Sequence, residues 1–244
     1  MILAVLLASL AGFIGSRVVV AEADAHRMAL PDRWWDPVCE VCGSQLGVTM
    51  QRCGTNRHRQ RSLVAVVVVG ATIGSGAIPL VVPTMWVVPA YVVFVLGSIL
   101  LTVTDLDTKL IPNRILARVL VVGGLLLIVG GLANSHPAAV ARAFGGGFTY
   151  FGIMFVLALI ARGALGFGDV KLAALLGGFT GYLGWAQLTI GVLGAFLIGG
   201  VVSLALLVAG RAGRKDAIPF GPFMVAGALL AVYAGDQIIR WYNG

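Results

Sequence analysis

Acidic residues are scarce in this chain. Only 10 of its 244 residues are Asp or Glu, and half of those lie in the polar segment 21–62. Charged residues make up 11% of the sequence and hydrophobic residues 59%, whereas a soluble domain is about 25% charged and about 45–50% apolar. This composition excludes an ordinary soluble domain. The apolar runs also lack the alternating pattern of barrel strands, so the sequence predicts a helical integral membrane protein.

Eight apolar segments approach the length that spans a bilayer. The first has no Lys or Arg ahead of it and no convincing cleavage site followed by a secreted domain, so we expect a retained anchor and not a signal peptide. The predicted fold class is an all-α polytopic membrane protein with about eight transmembrane helices. The predicted segments are Ile2–Val20, Leu63–Val82, Met85–Thr104, Ile115–Ala133, Phe144–Ile160, Leu172–Trp185, Leu188–Ala209 and Phe220–Tyr233.

The predicted organisation has three parts. Residues 1–20 form an N-terminal transmembrane helix, residues 21–62 a small cytoplasmic module and residues 63–244 a larger transmembrane domain. About forty residues are too few to build a sufficient core alone, so the module is not expected to be stabilised by apolar burial alone.

The net charge of +7 is explained by topology. Basic residues group by loop, which is typical of the cytoplasmic side of a membrane protein, and we expect no nucleic-acid partner. The arginine-rich segment 21–62 is therefore predicted to be cytoplasmic, and alternate loops after it are basic. This topology places Asp105 and Asp169 at the cytoplasmic ends of their segments, at the same membrane level.

Asp105 and Asp169 are the candidate chemical groups. Charge at membrane depth is expensive, so an ionisable residue there indicates a functional site. Two carboxylates at one level suggest acid–base hydrolysis. For Asp169 the alternative is a structural one, in which Gly166-Phe167-Gly168-Asp169 is a glycine-rich turn with a helix-capping aspartate.

Three short motifs accompany the two aspartates. The pattern D-x-x-x-x-x-I/L-P runs from Asp105 to Pro112, and G-x-G-D-x-K runs from Gly166 to Lys171. A third element reads Ile218-Pro-Phe-Gly-Pro-Phe223. In this order, and on eight apolar segments, the motifs make residues 63–233 resemble the type IV prepilin leader peptidase family, which belongs to the GxGD class of aspartyl intramembrane proteases.

The resemblance implies a function and a site. The expected activity is cleavage of the short basic leader from type IV prepilin or pseudopilin precursors, at the cytoplasmic face of a bacterial inner or plasma membrane. Membrane lipids are the other expected partners, and the sequence does not indicate an oligomeric state. Asp105 and Asp169 correspond to the catalytic pair. Residues expected to support the site or bind substrate are Pro112, Gly166, Gly168, Lys171, Pro219, Gly221 and Pro222.

The chain has only 3 cysteines, and this is a departure from the family. Members often carry two C-x-x-C pairs that are interpreted as a zinc site. Here Cys39, Cys42 and Cys53 remain, but Asn56 stands at the fourth position. His58 would complete a Cys₃His structural site. Three outcomes stay open from the sequence, namely a bound zinc, no metal, or a degenerate remnant.

Methylation is also a family activity, in which many members transfer a methyl group from S-adenosylmethionine to the new pilin N-terminus. The corresponding N-terminal stretch is reduced here to Gly15-Ser-Arg-Val-Val-Val20, and the chain has no glycine-rich methyltransferase fingerprint. We therefore expect S-adenosylmethionine only if that activity is retained. Proteolysis itself is expected to need no cofactor.

Two other classes of function compete with a peptidase. A proton-coupled transporter would use the aspartates as a relay, but it predicts inverted halves with matching broken helices, which the sequence does not show. A non-catalytic scaffold for pilus assembly would have no need for both aspartates and both glycines of the second motif. A presenilin-like protease would lack the cysteines and the third motif.

Overall fold

The chain is helical throughout its described part. The computed structural model describes residues 1–27, 61–161, 165–210 and 218–244, and within them it contains eight α-helices and no strand. This confirms the predicted all-α class. The helices are α1 (Ile2–Arg27), α2 (Arg61–Val81), α3 (Val88–Thr108), α4 (Asn113–Ala133), α5 (Pro137–Ile160), α6 (Phe167–Leu183), α7 (Trp185–Val208) and α8 (Gly221–Asn243).

Several of these helices are suited to a membrane. In the described part of the chain, 5 helices are long and apolar enough to span a bilayer: Met85–Leu106, Asn113–Ala133, Pro137–Ile160, Trp185–Val208 and Gly221–Asn243. The described apolar parts of α1 and α2 are shorter, and α6 has 17 residues. The protein is therefore a multi-pass membrane protein, while the full set of eight spans stays a prediction.

Helix ends differ most from the predicted segments at α5, α6 and α8. Helix α5 begins at Pro137, well before the predicted Phe144, because proline is favoured in a first helical turn. Helix α8 continues past Tyr233 to Asn243. Helix α6 begins at Phe167 and not at Leu172, so Asp169 lies in its first turn. An apolar run indicates where a helix crosses lipid. It does not indicate where the helical hydrogen bonds of the backbone begin or end.

Helix α3 lies at the centre of the bundle. About two thirds of its apolar window is buried (67%), compared with 22% for α5 and α7. Its Tyr91 donates a hydrogen bond of 2.8 Å to the carbonyl oxygen of Phe179 on α6. The Phe94 ring stacks on the Phe179 ring with a centroid distance of 4.5 Å. These contacts fix α6 beside α3, the two helices that carry the aspartates.

Helices α5 and α6 approach each other through glycines. A methyl group added at Gly146 would lie 2.5 Å from the Gly177 carbonyl oxygen and 2.9 Å from Cα of Gly181. Only a residue without a side chain allows backbones to come this close, as at many membrane helix interfaces. The glycine pairing sets the position of α6, and with it the position of Asp169.

The substitution Gly146→Ala is expected to destabilise the protein by about 1–3 kcal/mol, since the added methyl group must push α5 away from α6. The matched control is Gly152→Ala on the same helix, where a methyl group would meet nothing within 4 Å. Thermal unfolding in detergent should therefore show a lower midpoint for Gly146→Ala alone. Equal midpoints for the two variants would mean that the glycine contact is not tight.

Candidate active site

Asp105 lies in the last turn of α3, inside the protein. Its side chain is 4% exposed, and its Oδ2 atom is buried without a hydrogen-bond partner among the described residues. The carboxylate faces the start of α8. A methyl group added at Gly221 would lie 2.6 Å from Oδ2, and the Gly221 N–H interacts with the carboxylate. Glycine at 221 therefore leaves room for a buried carboxylate.

The chain turns sharply after Asp105. Lys109 ends α3 in the left-handed region, with φ of 54°, and its N–H donates to the Asp105 carbonyl oxygen at 2.8 Å. Pro112 then holds extended backbone immediately before α4, with φ of −66° and ψ of 120°. The short connection turns back toward the bundle, so that the Ile111 side chain lies beside the glycines of the other two motifs.

Asp169 lies in the first turn of α6, where Gly166 is the capping residue. The Asp169 N–H donates to the Gly166 carbonyl oxygen at 3.0 Å, and the Gly166 N–H interacts in return with the Asp169 carboxylate. This is one half of a capping box, in which the carboxylate three residues into the helix accepts a hydrogen bond from the N–H of the capping residue. Asp169 is therefore not itself the capping residue, but its carboxylate supports the start of α6.

The two carboxylates interact. Asp169 lies outside the five helices that could span the membrane, in an environment that raises its pKa to about 6. Burial is the largest cause, the charge of Asp105 is the second, and the Gly166 N–H acts in the opposite direction. The fold therefore brings together two aspartates from helices that are distant in sequence. Like charges at short range cannot both ionise easily, so the pair favours retention of one proton.

The third motif forms the start of α8. Gly221 and Pro222 occupy its first turn, where the missing N–H of proline is no loss. Pro219 is half-buried just before it. The Phe220 ring packs against Phe196 on α7, with 5.3 Å between centroids. This aromatic contact fixes the end of α8 that faces Asp105.

Lys171 connects the second motif to α4. Its Nζ donates to Asn113 Oδ1 at 3.0 Å and lies 5.0 Å from the centre of the Phe167 ring. The hydrogen bond joins the start of α6 to the start of α4.

Tyr150 on α5 is a neighbour of the site that the sequence analysis missed. Its side chain is buried, and its hydroxyl has no hydrogen-bond partner among the described residues. The hydroxyl interacts electrostatically with Asp169. A buried tyrosine hydroxyl usually has a hydrogen-bond partner. The presence of Tyr150 within an apolar run was therefore the sequence signal that this residue could have a polar neighbour.

The predicted zinc ligands cannot be compared with the structure, because Cys39, Cys42, Cys53 and His58 all lie outside the described residues. Among the residues that are described, no group of three or more His, Cys, Asp or Glu side chains could hold a metal ion.

Known proteins with similar sequences share this region. The chain is 34% identical over 151 residues to a prepilin leader peptidase/N-methyltransferase of Bacillus subtilis (strain 168), which covers 62% of this chain and 58% of the relative. A protein of the same name from Aeromonas hydrophila is 32% identical over 143 residues, or 58% of this chain and 48% of the relative. The chain thus spans about half the length of the curated relatives it matches. No solved structure matches it.

A protein-family model also matches the part of the chain that holds the candidate site. The model is described as the type IV leader peptidase family and matches residues 92–204. That match includes Asp105, the connection to α4, and Asp169. The stretch from residue 92 to residue 204 is therefore similar to the type IV leader peptidase family.

Proposed function

We propose that this protein is a membrane aspartyl endopeptidase that removes the short basic leader from type IV prepilin or pseudopilin precursors. Asp105 and Asp169 are the catalytic pair in this proposal. Its central support is the meeting of these two carboxylates, one buried at the end of α3 and the other in the first turn of α6. The family of the region that contains them supports the same reaction.

The proposed chemistry is acid–base hydrolysis by a pair that shares one proton. The ionised carboxylate takes a proton from water, and the water oxygen attacks the carbonyl carbon of the scissile peptide bond. The protonated carboxyl group donates its proton to the carbonyl oxygen. When the C–N bond breaks, the leaving amine receives a proton from the pair. Because the two groups titrate as a unit, we assign neither role to one residue.

The cytoplasmic face is the proposed side of cleavage. The connection after Asp105 carries Lys109 and Arg114, and the connection before Asp169 carries Arg162, whereas the loop around residues 79–89 carries no charge. Basic loops are retained in the cytoplasm. A pilin leader is short and basic and precedes an apolar helix, so its cleavage point reaches this depth from the cytoplasmic side.

The surface beside the pair suits an apolar substrate helix. Leu106 directly follows Asp105, and Phe167 lies two residues before Asp169. Both are large hydrophobic residues with exposed side chains. Such side chains contact lipid in the resting protein, and they can contact a substrate helix that approaches sideways. This supports entry of the precursor through the membrane and not from the aqueous phase.

Cofactors are not part of the proposed proteolysis. A structural zinc at Cys39, Cys42, Cys53 and His58 remains a prediction for the segment before α2. The curated relatives are named as N-methyltransferases as well, but about half of their length lies outside the match. We therefore propose the peptidase activity for this chain and leave S-adenosylmethionine out of the scheme.

The direct test is cleavage by purified protein in liposomes. A pilin-like precursor with a basic leader and an apolar helix is added, and the products are measured by mass spectrometry. The proposal expects one cut between the leader and the helix. Absence of any cut with several precursors would reject it, and proton flux across the same liposomes would then favour a transporter. With neither cleavage nor flux, a pilus-assembly scaffold would be favoured.

Cleavage is expected to decrease as the pH rises above about 6. Burial and the charge of Asp105 raise the pKa of Asp169 to about 6 from its ordinary value of 3.8, so its proton is retained to a higher pH than in an ordinary aspartate. The active pair needs one proton, and it loses that proton as the pH passes through this raised pKa. The measurement is kcat/KM between pH 5 and pH 9 in liposomes. A flat profile over this range would contradict the prediction.

A further inference from the structure

Ile111 lies where the three motifs meet. A methyl group added at Gly168 would be 3.1 Å from Ile111 Cβ and 3.5 Å from Cδ1, and one added at Gly221 would be 3.5 Å from the same Cδ1. The Ile111 side chain thus occupies the space between the first turn of α6 and the first residue of α8. It is half-buried and packs against the core.

Each of these glycines is adjacent to one aspartate. Gly168 directly precedes Asp169 in the first turn of α6. Gly221 faces the Asp105 carboxylate, since a methyl group there would lie 2.6 Å from Oδ2. The distance between Gly168 and Gly221 therefore determines how far the first turn of α6 stands from the carboxylate of Asp105.

Ile111 is a suitable spacer for chemical reasons. A β-branched side chain is stiff at χ1, so its volume has a defined shape. The following proline restricts the backbone of residue 111 to extended conformations. Both restrictions hold the branched side chain in one place between the two glycines.

We propose that Ile111 is a positioning residue. The volume of its side chain sets the distance between the Asp105 and Asp169 carboxylates and keeps water out of the space between them. This inference rests on the proposed peptidase function for its effect on cleavage. Its effect on the carboxylates themselves is a separate property that can be measured without substrate.

Among the described residues, few ionisable groups surround Asp169, so an effect of Ile111 can be recognised. Asp105 on α3 and Tyr150 on α5 interact with it electrostatically. Lys171 lies two residues further along α6, and α4 contributes Arg114 and Arg118, both exposed. Helix α7 has no titratable residue, and those of α8 lie in its second half, from Tyr233 onward. None of these groups is changed when residue 111 is replaced.

The test is Ile111→Ala. Loss of the branched side chain lets water enter between the glycines, and water favours the ionised form of both carboxylates. We expect kcat to decrease by about 10- to 100-fold, because the reacting groups lose their fixed geometry. KM should change by less than about threefold, since Ile111 is half-buried and the proposed contacts with the substrate helix are the exposed Leu106 and Phe167. The alkaline limb of the pH profile should move down by about half a pH unit or more. Ile111→Leu keeps the side-chain volume but not the β-branch, so it should restore most of the lost kcat and return the limb toward its wild-type position.

Ile115→Ala is the matched control. Ile115 lies in the first turn of α4 and is buried in the core, so its truncation should lower the thermal midpoint at least as much as Ile111→Ala does. It should leave the alkaline limb in place. A decrease in kcat for Ile111→Ala with no movement of the limb would overturn the positioning role, and so would an equal movement in Ile115→Ala.

A second readout does not require cleavage. Infrared difference spectra of liposomes record the protonated carboxyl band of Asp169, identified by its absence in Asp169→Asn, as a function of pH. The band should disappear at a lower pH in Ile111→Ala than in the wild type. If the wild type cleaves no precursor, the peptidase proposal fails, but this titration still decides on Ile111. An unchanged titration would reject the spacer.

Discussion

Replacement of either aspartate by asparagine, as Asp105→Asn or Asp169→Asn, is expected to lower precursor cleavage by about 10³-fold or more. Asparagine nearly preserves the shape of the side chain but cannot ionise or share a proton. Because the two carboxylates act as one unit, the double variant should be no less active than either single variant. The measurement is initial rate in liposomes, at pH 6, with protein amount and insertion verified.

The control for this prediction is Asp236→Asn. Asp236 is exposed on α8 and accepts a hydrogen bond of 2.8 Å from Gln187 Nε2, away from the carboxylate pair. Its replacement should leave the rate unchanged.

Stability gives a second check, since a raised pKa means that the folded state disfavours the ionised form of Asp169. Above pH 6, Asp169→Asn should therefore unfold at the wild-type temperature or higher. A single variant that keeps a tenth of the activity would refute the paired mechanism.

The second large effect is expected for Gly221→Ala. The added methyl group would lie 2.6 Å from Oδ2 and 3.2 Å from Cγ of Asp105. The carboxylate must rotate, or the start of α8 must move. Either change displaces a reacting group by a substantial fraction of an ångström, and displacements near 1 Å cost on the order of 10²-fold in rate. We expect kcat to decrease by about that factor.

Gly200→Ala is the comparison for Gly221→Ala. Gly200 is on α7, and a methyl group there meets nothing within 4 Å, so full activity is expected. Both variants exchange glycine for alanine within a helix, which removes helix propensity as an explanation for a difference between them. Wild-type activity of Gly221→Ala would show that the glycine does not make room for the Asp105 carboxylate.

The apolar segments predicted the helices well because burial in lipid requires long apolar runs. They did not predict helix ends. Helix α8 continues beyond Tyr233, where the sequence turns polar, and its Asp236 is held by Gln187 of α7. Helix α6 begins at Phe167 although glycines flank that residue, because Asp169 and Gly166 satisfy each other's backbone and side-chain groups.

The candidate site was predicted as a set of residues, and its chemistry stays a proposal. Motif order identified Asp105, Asp169 and the glycines beside them, since these residue types are unusual in their surroundings. It could not indicate that Ile111 lies between Gly168 and Gly221, because that contact depends on how three helices assemble. Tyr150 was missed for the same reason, as its electrostatic interaction with Asp169 depends on the close glycine pairing of α5 with α6.

The contribution of α8 to the Asp105 environment has a consequence for biogenesis. Helices α3 and α6 are synthesised before α8, so a nascent chain can already hold both aspartates while the wall formed by Gly221 is missing. In that intermediate Asp105 is not enclosed, and the surroundings that keep the shared proton are incomplete. In the proposed peptidase, the ability to hydrolyse a peptide bond is then acquired only when α8 is in place. Other newly inserted membrane proteins would thereby be protected from the incomplete form of the proposed enzyme.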